Sequence, residues 1–177
     1  MVTVFVISAK VRMTYCTNLG TFYRFIKNNM GEKMDCFNVA DYFLIRARAE
    51  DSDEGMTHLK LQKLVYYAQG FHLAIYDKPL FPNSIYAWQH GPVVRELWDK
   101  YCGCGSSALD PPDTFDFKRF PEEQIELLDE VFEVYGQFTA WKLRNLTHEE
   151  PPWKSVDIND MISIESMKEY FRTQLSE

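Results

Sequence analysis

Residues 57–76, THLKLQKLVYYAQGFHLAIY, limit the fold more than any other stretch. Leu61, Leu64, Val65, Ala68, His72 and Ile75 recur at helical spacing and make one continuous apolar face. Leu59, Tyr66, Tyr67, Phe71 and Leu73 widen that face beyond the stripe of a surface helix. A helix covered on more than one side belongs at the centre of a domain, with the other elements packed around it. Thr57 offers an N-cap hydroxyl. Pro79 disfavours helix at Lys78 and sets the stop near Asp77. The polar residues Lys60, Gln62, Lys63 and Gln69 are left for an exposed edge.

The rest of the chain supplies partners for such a helix. Asn38 reads as the N-cap of a helix over residues 38–49, with Val39, Tyr42, Phe43 and Ile45 apolar. Residues 80–89 read as a short extended pair around the turn residues Pro82, Asn83 and Ser84. The segment 88–98, WQHGPVVRELW, then joins a turn to a helix start. Gly91 frees the backbone there, and Pro92 has the chemistry of a first helical position, so the next helix is expected over 92–101. A Gly/Ser break follows, and a loop with one extended piece over 114–117. A helix from Pro121 turns Ile125, Leu128, Val131, Phe132 and Tyr135 inward, with Gly136 at its C′ position. Its other side is acidic, with Glu122, Glu123, Glu126, Asp129, Glu130 and Glu133. Thr139 caps a short helix that ends at His148, before Pro151 and Pro152 stop it. A last amphipathic helix follows Ser163 over 164–175. The expected fold is mainly α: a single compact domain of about six helices, with a β-hairpin-like insert before the GPVV helix.

The chain of 177 residues fits one domain, and 46% hydrophobic residues are enough for a real core. A net charge of -7 argues against a general binder of nucleic acid or anionic membrane. No apolar run is long enough to span a bilayer. The four cysteines are irregularly spaced, which fits reduced thiols in a cytoplasm. Residues 1–33 stand apart: five basic residues (Lys10, Arg12, Arg24, Lys27, Lys33) face one acid, Glu32. They read either as a basic extension for an acidic partner or as translated upstream sequence, with the working start at Met30 or Met34. The second reading is preferred, with the working domain over 34–177.

A search for chemistry finds little. His58, His72, His90 and His148 form no metal-binding spacing. His72 lies on the apolar face, as a hydrogen-bonded core histidine would. His148, Glu149 and Glu150 carry acid–base groups but abut a helix stop. The acidic loop 50–55 has Gly55 at the sixth place of a calcium-loop frame, but Leu61 stands where the bidentate Glu belongs, so it reads as solvated. Cys102 and Cys104 form a lone C-x-C, short of the C-x-x-C of zinc or redox sites. No phosphate-binding, dinucleotide or nucleophile-elbow motif is present. The expectation is a binding protein, not an enzyme, with no metal and no cofactor.

Five segments, LKLQKLVYYAQGFHLA at 59–74, PLF at 79–81, YAWQHGPVVRELWDKY at 86–101, LLDEVFEVYGQFTAWKLRNLTHEEPPWK at 127–154 and MKEYF at 167–171, occur in an order that resembles the Panacea-domain, or SocA-like antitoxin, family. That family is related to phage-associated GepA-type proteins. The resemblance covers residues 37–175. It implies a helical antitoxin that neutralises a cognate protein toxin by direct binding. The SocA branch implies an alternative, an adaptor that delivers the toxin to an ATP-dependent protease. A phage-associated accessory role is a further alternative, and a hydrolase using His90 or His148 with Glu149 ranks last. Some relatives carry an extra DNA-binding domain; none is visible here, so no direct nucleic-acid contact is expected.

A neutralising interface needs a few large anchors. Tyr66, Tyr67, Trp88, His90, Arg95, Trp98 and Trp153 are the candidates, with Gln62 and Lys63 at the rim and Gly91 and Pro92 as backbone devices. Trp88 and Trp153 weigh toward core packing, Arg95 and Lys63 toward exposure. The acidic helix face is a second surface, suited to a basic toxin.

Overall fold

Local capping chemistry sets the element boundaries. The computed structural model describes residues 7–8, 34–49 and 55–176. Among them the helices are α1 (Cys36–Ala49), α2 (His58–Tyr76), α3 (Arg95–Tyr101), α4 (Glu122–Tyr135), α5 (Ala140–Glu149), α6 (Pro151–Lys154) and α7 (Ile164–Arg172). The strands are β1 (Ile7–Ser8), β2 (Ile85–Trp88), β3 (Gly91–Val94) and β4 (Leu175–Ser176), and 3-10 turns occupy Cys102–Cys104 and Phe117–Arg119. The fold is mainly helical with one antiparallel hairpin, β2–β3; β1 and β4 pair in parallel. The basic leader 1–33, apart from Ile7 and Ser8, and the acidic loop residues 50–54 lie outside the described residues.

α2 starts where Thr57 accepts a hydrogen bond from the Lys60 amide, and ends where Asp77 turns left-handed at φ 62° and donates its N–H to Leu73 O. α1 begins earlier than expected. Asp35 caps it, accepting from the Phe37 and Asn38 amides at 2.9 and 3.0 Å. The Asn38 side chain reaches back to the Asp35 amide at 3.2 Å, the reciprocal arrangement of a capping box. Thr139 and Ser163 cap α5 and α7 as expected.

The main correction concerns residues 91–94. GPVV is a strand, and α3 begins only at Arg95. Gly91 pairs with Trp88 and Pro92 with Ala87, so Gln89 and His90 form a two-residue hairpin loop. The Ala87 amide and carbonyl bond to Asp160 O and the Asn159 amide, on the side away from β3. Pro92 sits opposite, so its missing N–H costs no ladder bond. Gly91 adopts φ 96°. A Cβ there would also lie 2.7 Å from Thr147 Oγ1 and 2.8 Å from Lys63 Cε, so both conformation and space require glycine.

Smaller differences have equally local causes. Gly136 is right-handed at φ -63°, not a left-handed C′ residue. Pro151 and Pro152 end α5 but open α6, because a proline at the first helical position lacks only an N–H that has no partner there anyway. The extended piece expected over 114–117 gives way to the 3-10 turn Phe117–Arg119, which Asp116 caps.

α2 is buried from Leu61 to Ala74, with α1, α3, α4, α5, α7 and β3 packed around it. Asp129 of α4 joins α1 through Tyr42 (2.7 Å) and Arg46 (2.7 Å). α7 lies against α2 with the Phe171 ring over Gly70, where any Cβ would collide with the ring. Lys168 and Arg172 of α7 both pair with Asp77 at the end of α2. Among the described residues no helix is long and apolar enough to cross a membrane.

Candidate protein-docking surface

The hairpin joins two regions of different character. One is a buried polar seam along α2. Gln62 is buried, and its amide accepts from the Val94 N–H (2.9 Å) and donates to Val94 O (3.0 Å), as a neighbouring strand would. Lys63, 0% exposed, donates to Pro92 O at 2.8 Å. Glu150 receives the Tyr66 and Tyr67 hydroxyls at 2.9 and 2.7 Å. Gln69 does similar work further along, accepting from the Leu80 and Phe81 amides and donating to Phe81 O.

The seam therefore corrects the exposed edge expected for α2. Gln62, Lys63 and Gln69 face backbone groups of the hairpin and of the loop at residues 80–81, which no periodicity could locate. Tyr66 and Tyr67 are spent on Glu150 and core aromatic contacts. The burial of these four expected contact residues, Gln62, Lys63, Tyr66 and Tyr67, keeps them from meeting a partner at the surface. The electrostatics follow from burial. Desolvation pushes the Glu150 carboxyl up to about 7, against the Tyr67 and Tyr66 hydrogen bonds and the Lys63 charge. Desolvation, helped by the Arg144 charge, pushes the Lys63 ammonium down to about 7, against the pull of Glu150. His72 is a core histidine with Nδ1 2.7 Å from Lys78 O, and burial lowers it to about 4.

The other region faces outward. All four tryptophans of the chain gather around the hairpin. Trp88 and Trp98 meet edge to face at 5.4 Å. His90 at the loop meets Trp141 of α5 at 5.8 Å. Trp153 of α6 packs against His148, with ring centroids 3.8 Å apart and planes tilted by 40°, and donates its indole N–H to Trp88 O at 3.1 Å. His148 in turn lies 3.0 Å from Gln89 O. Arg95 covers the Tyr86 ring at 3.9 Å, beside a shallow groove lined by Pro82, Asn83, Ser84 and Glu96. Trp98 is 40% and Trp141 61% exposed, His90 and Arg95 are exposed, and Trp88 and Trp153 are half-buried. Thus Trp88, His90, Arg95, Trp98 and Trp153 come together, while Gln62, Lys63, Tyr66 and Tyr67 lie beneath.

Trp141 was missed by sequence reasoning. Its signal was available: it stands off the Leu143–Leu146–Thr147 side of its helix, next to Lys142 and Arg144, where a large apolar residue has no inward role. Met161, 55% exposed and bridged to Tyr86, was missed because residues 157–162 carry no regular pattern. The acidic face of α4 is narrower than its sequence suggests: Glu122, Glu126 and Glu133 are exposed, but Asp129 is engaged by Tyr42 and Arg46.

No curated protein and no solved structure matches the chain. A family profile described as "Antitoxin SocA-like, Panacea domain" matches residues 61–154. That span holds α2 from Leu61 onward, the hairpin, α3, α4, α5 and α6, including the whole seam and all four tryptophans. It covers more than half of the chain, and the protein belongs to the SocA-like antitoxin family, as a Panacea-domain protein.

Proposed function

We propose that this protein is the antitoxin of a toxin–antitoxin pair, and that it neutralises its cognate protein toxin by binding it on the tryptophan platform around the β2–β3 hairpin. The observation that carries the reading is the gathering of Trp88, Trp98, Trp141 and Trp153, with His90 and Arg95, at one surface of a Panacea domain. Tryptophan and arginine dominate binding hot spots, because they bury large areas and still offer a polar group. The platform rests on a hairpin held from beneath by Gln62 and Lys63, so little ordering is needed on binding. In this reading the chain acts in the cytoplasm and performs no catalytic step.

Co-expression with the neighbouring gene tests the proposal. That gene alone is expected to arrest growth, and this protein to restore it. Trp98→Ala with Trp141→Ala is expected to abolish both rescue and co-purification while leaving the fold intact. A harmless neighbour, or full rescue by the double variant, overturns the reading. Toxin levels in the rescued cells separate blocking from delivery to an ATP-dependent protease: a stable, bound toxin marks blocking, and a vanishing toxin marks delivery.

A further inference from the structure

His148 stands at the junction of the platform's parts, and both of its ring nitrogens face backbone carbonyls. Nδ1 lies 2.7 Å from Arg144 O on its own helix, and Nε2 lies 3.0 Å from Gln89 O in the hairpin loop. A carbonyl oxygen only accepts, and a neutral imidazole carries a single N–H. The two ties hold together only when both nitrogens are protonated. The ring is in the last turn of α5, where the helix carbonyls concentrate negative partial charge. The Trp153 ring packs on it at 3.8 Å.

We infer that His148 is a positioning residue for the tryptophan platform, a latch between α5 and the hairpin loop whose closed form is the doubly protonated ring. Its neighbour Trp153 donates to Trp88 O, so two rings packed against each other hold two consecutive carbonyls of the hairpin. When the ring loses a proton, one tie is lost. Arg144 O is also bound by the Thr147 hydroxyl at 2.9 Å, so that end keeps a partner in either case. Either neutral form turns a ring lone pair onto a carbonyl oxygen, Nδ1 on Arg144 O at 2.7 Å or Nε2 on Gln89 O at 3.0 Å, and two acceptors set against each other loosen the bridge to the loop that carries His90.

Glu150 and Lys63 behind the ring also change charge near pH 7, and Lys63 holds Pro92 O of the same hairpin, so the latch's share is the part of the loop's movement that depends on His148. On its own helix the ionisable groups are Arg144, whose Nη1 donates to Asn145, and Glu149, which pairs with Lys154 of α6. Behind it are Glu150, held by two tyrosines, and Lys63 of α2, held on Pro92 O. On the hairpin the titratable group is His90, which packs on Trp141. Neither of the ring's own nitrogens is bound by a carboxylate.

The latch rests on the reading of the platform as the toxin's docking surface for its consequence, but its first test needs no toxin. In the isolated protein, ring nitrogen, backbone amide and indole signals are followed by NMR from about pH 5 to about pH 9, across the ordinary histidine range. The Gln89 and His90 amides and the Trp153 indole N–H are expected to move with the midpoint of the His148 ring. His148→Gln, which cannot span both carbonyls, is expected to remove that movement. His148→Arg, a permanent cation with several donors, is expected to hold the loop in its low-pH state throughout. Loop signals that ignore the ring's titration, or that move unchanged in His148→Gln, overturn the inference. With the neighbouring gene's product as probe, wild-type binding is expected to weaken on the order of tenfold above the midpoint, and His148→Arg binding to stay level. A latch that behaves as expected in the isolated protein, with no toxin bound at any pH, overturns the docking reading and leaves the latch standing.

Discussion

The polar seam under the hairpin and the tryptophan platform around it are both rich in residues that bind well, yet they end their interactions in opposite places. Gln62, Lys63, Tyr66, Tyr67 and Glu150 close their hydrogen bonds inside the domain. Trp98 and Trp141 leave large apolar areas outside it. A buried polar group is expensive to leave unpaired, so the seam specifies one placement of the hairpin on α2. An exposed indole specifies nothing within the chain. The comparison separates residues that define the fold from residues that the fold leaves exposed.

The sharpest way to break the comparison is to empty the seam. Glu150→Ala leaves two buried tyrosine hydroxyls without their acceptor, at about 1–3 kcal/mol each, so a loss of about 3–5 kcal/mol is expected. Urea unfolding measures it, and a loss below about 1 kcal/mol, the size of a surface change, removes the distinction. Gln62→Leu comes next. The Val94 N–H loses its acceptor, at about 1–3 kcal/mol, while Val94 O keeps the helical bond of an N-cap carbonyl, and the same titration reads the loss.

On the platform the two readouts are expected to part. Trp141→Ala is expected to change stability by about 0.5 kcal/mol or less. It should nevertheless weaken toxin binding by about 2 kcal/mol, the threshold of a hot spot. Calorimetry of the complex beside thermal melting of the free protein compares them; equal losses in both would make Trp141 a folding residue.

The pH dependence of stability tests the seam's charges. Glu150, raised from 4.5 to about 7, keeps its proton in the folded chain where the unfolded chain has lost it. Its contribution is therefore fully present below about pH 4.5 and is lost as the pH rises to about 7. Lys63, lowered from 10.5 to about 7, gives the opposite slope, gaining stability as the pH rises from about 7 toward 10.5. The seam predicts a dip near neutral pH in the unfolding free energy. Glu150→Gln should flatten the acid-side slope alone, and an unchanged slope would assign it to other groups.

The smallest expected effect lies on α4. Glu126→Gln on its exposed acidic face is expected to slow association by about two- to threefold at low salt and to leave dissociation unchanged, if the toxin is basic. Stopped-flow rates at two salt concentrations check it.

Much of the frame was legible in the residues. The two-sided apolar pattern of α2 marked it as central, and Thr57, Thr139 and Ser163 marked three helix starts. The seam was not legible, because the partners of Gln62 and Lys63 are backbone groups about 30 positions away, and a backbone group has no sequence signature. Gly91-Pro92 misled for a related reason: the same pair suits a helix start and a strand whose proline faces away from the ladder. What told them apart was the contact of Gly91 with Lys63 and Thr147, a tertiary fact. At the surface, Trp88, Trp98 and Trp153 were singled out by type, but only the fold brought Trp141 beside His90.

The seat of Phe171 on Gly70 also has a consequence in time. The family match ends at residue 154, but the groove it leaves on α2 is filled by a side chain seventeen positions later. During synthesis α2, the hairpin, α5 and α6 emerge first, with the notch at Gly70 still bare. The core closes only after Phe171 has left the ribosome. Until then the nascent chain carries its tryptophans on an unfinished support, and the platform is complete only when that last helix has docked.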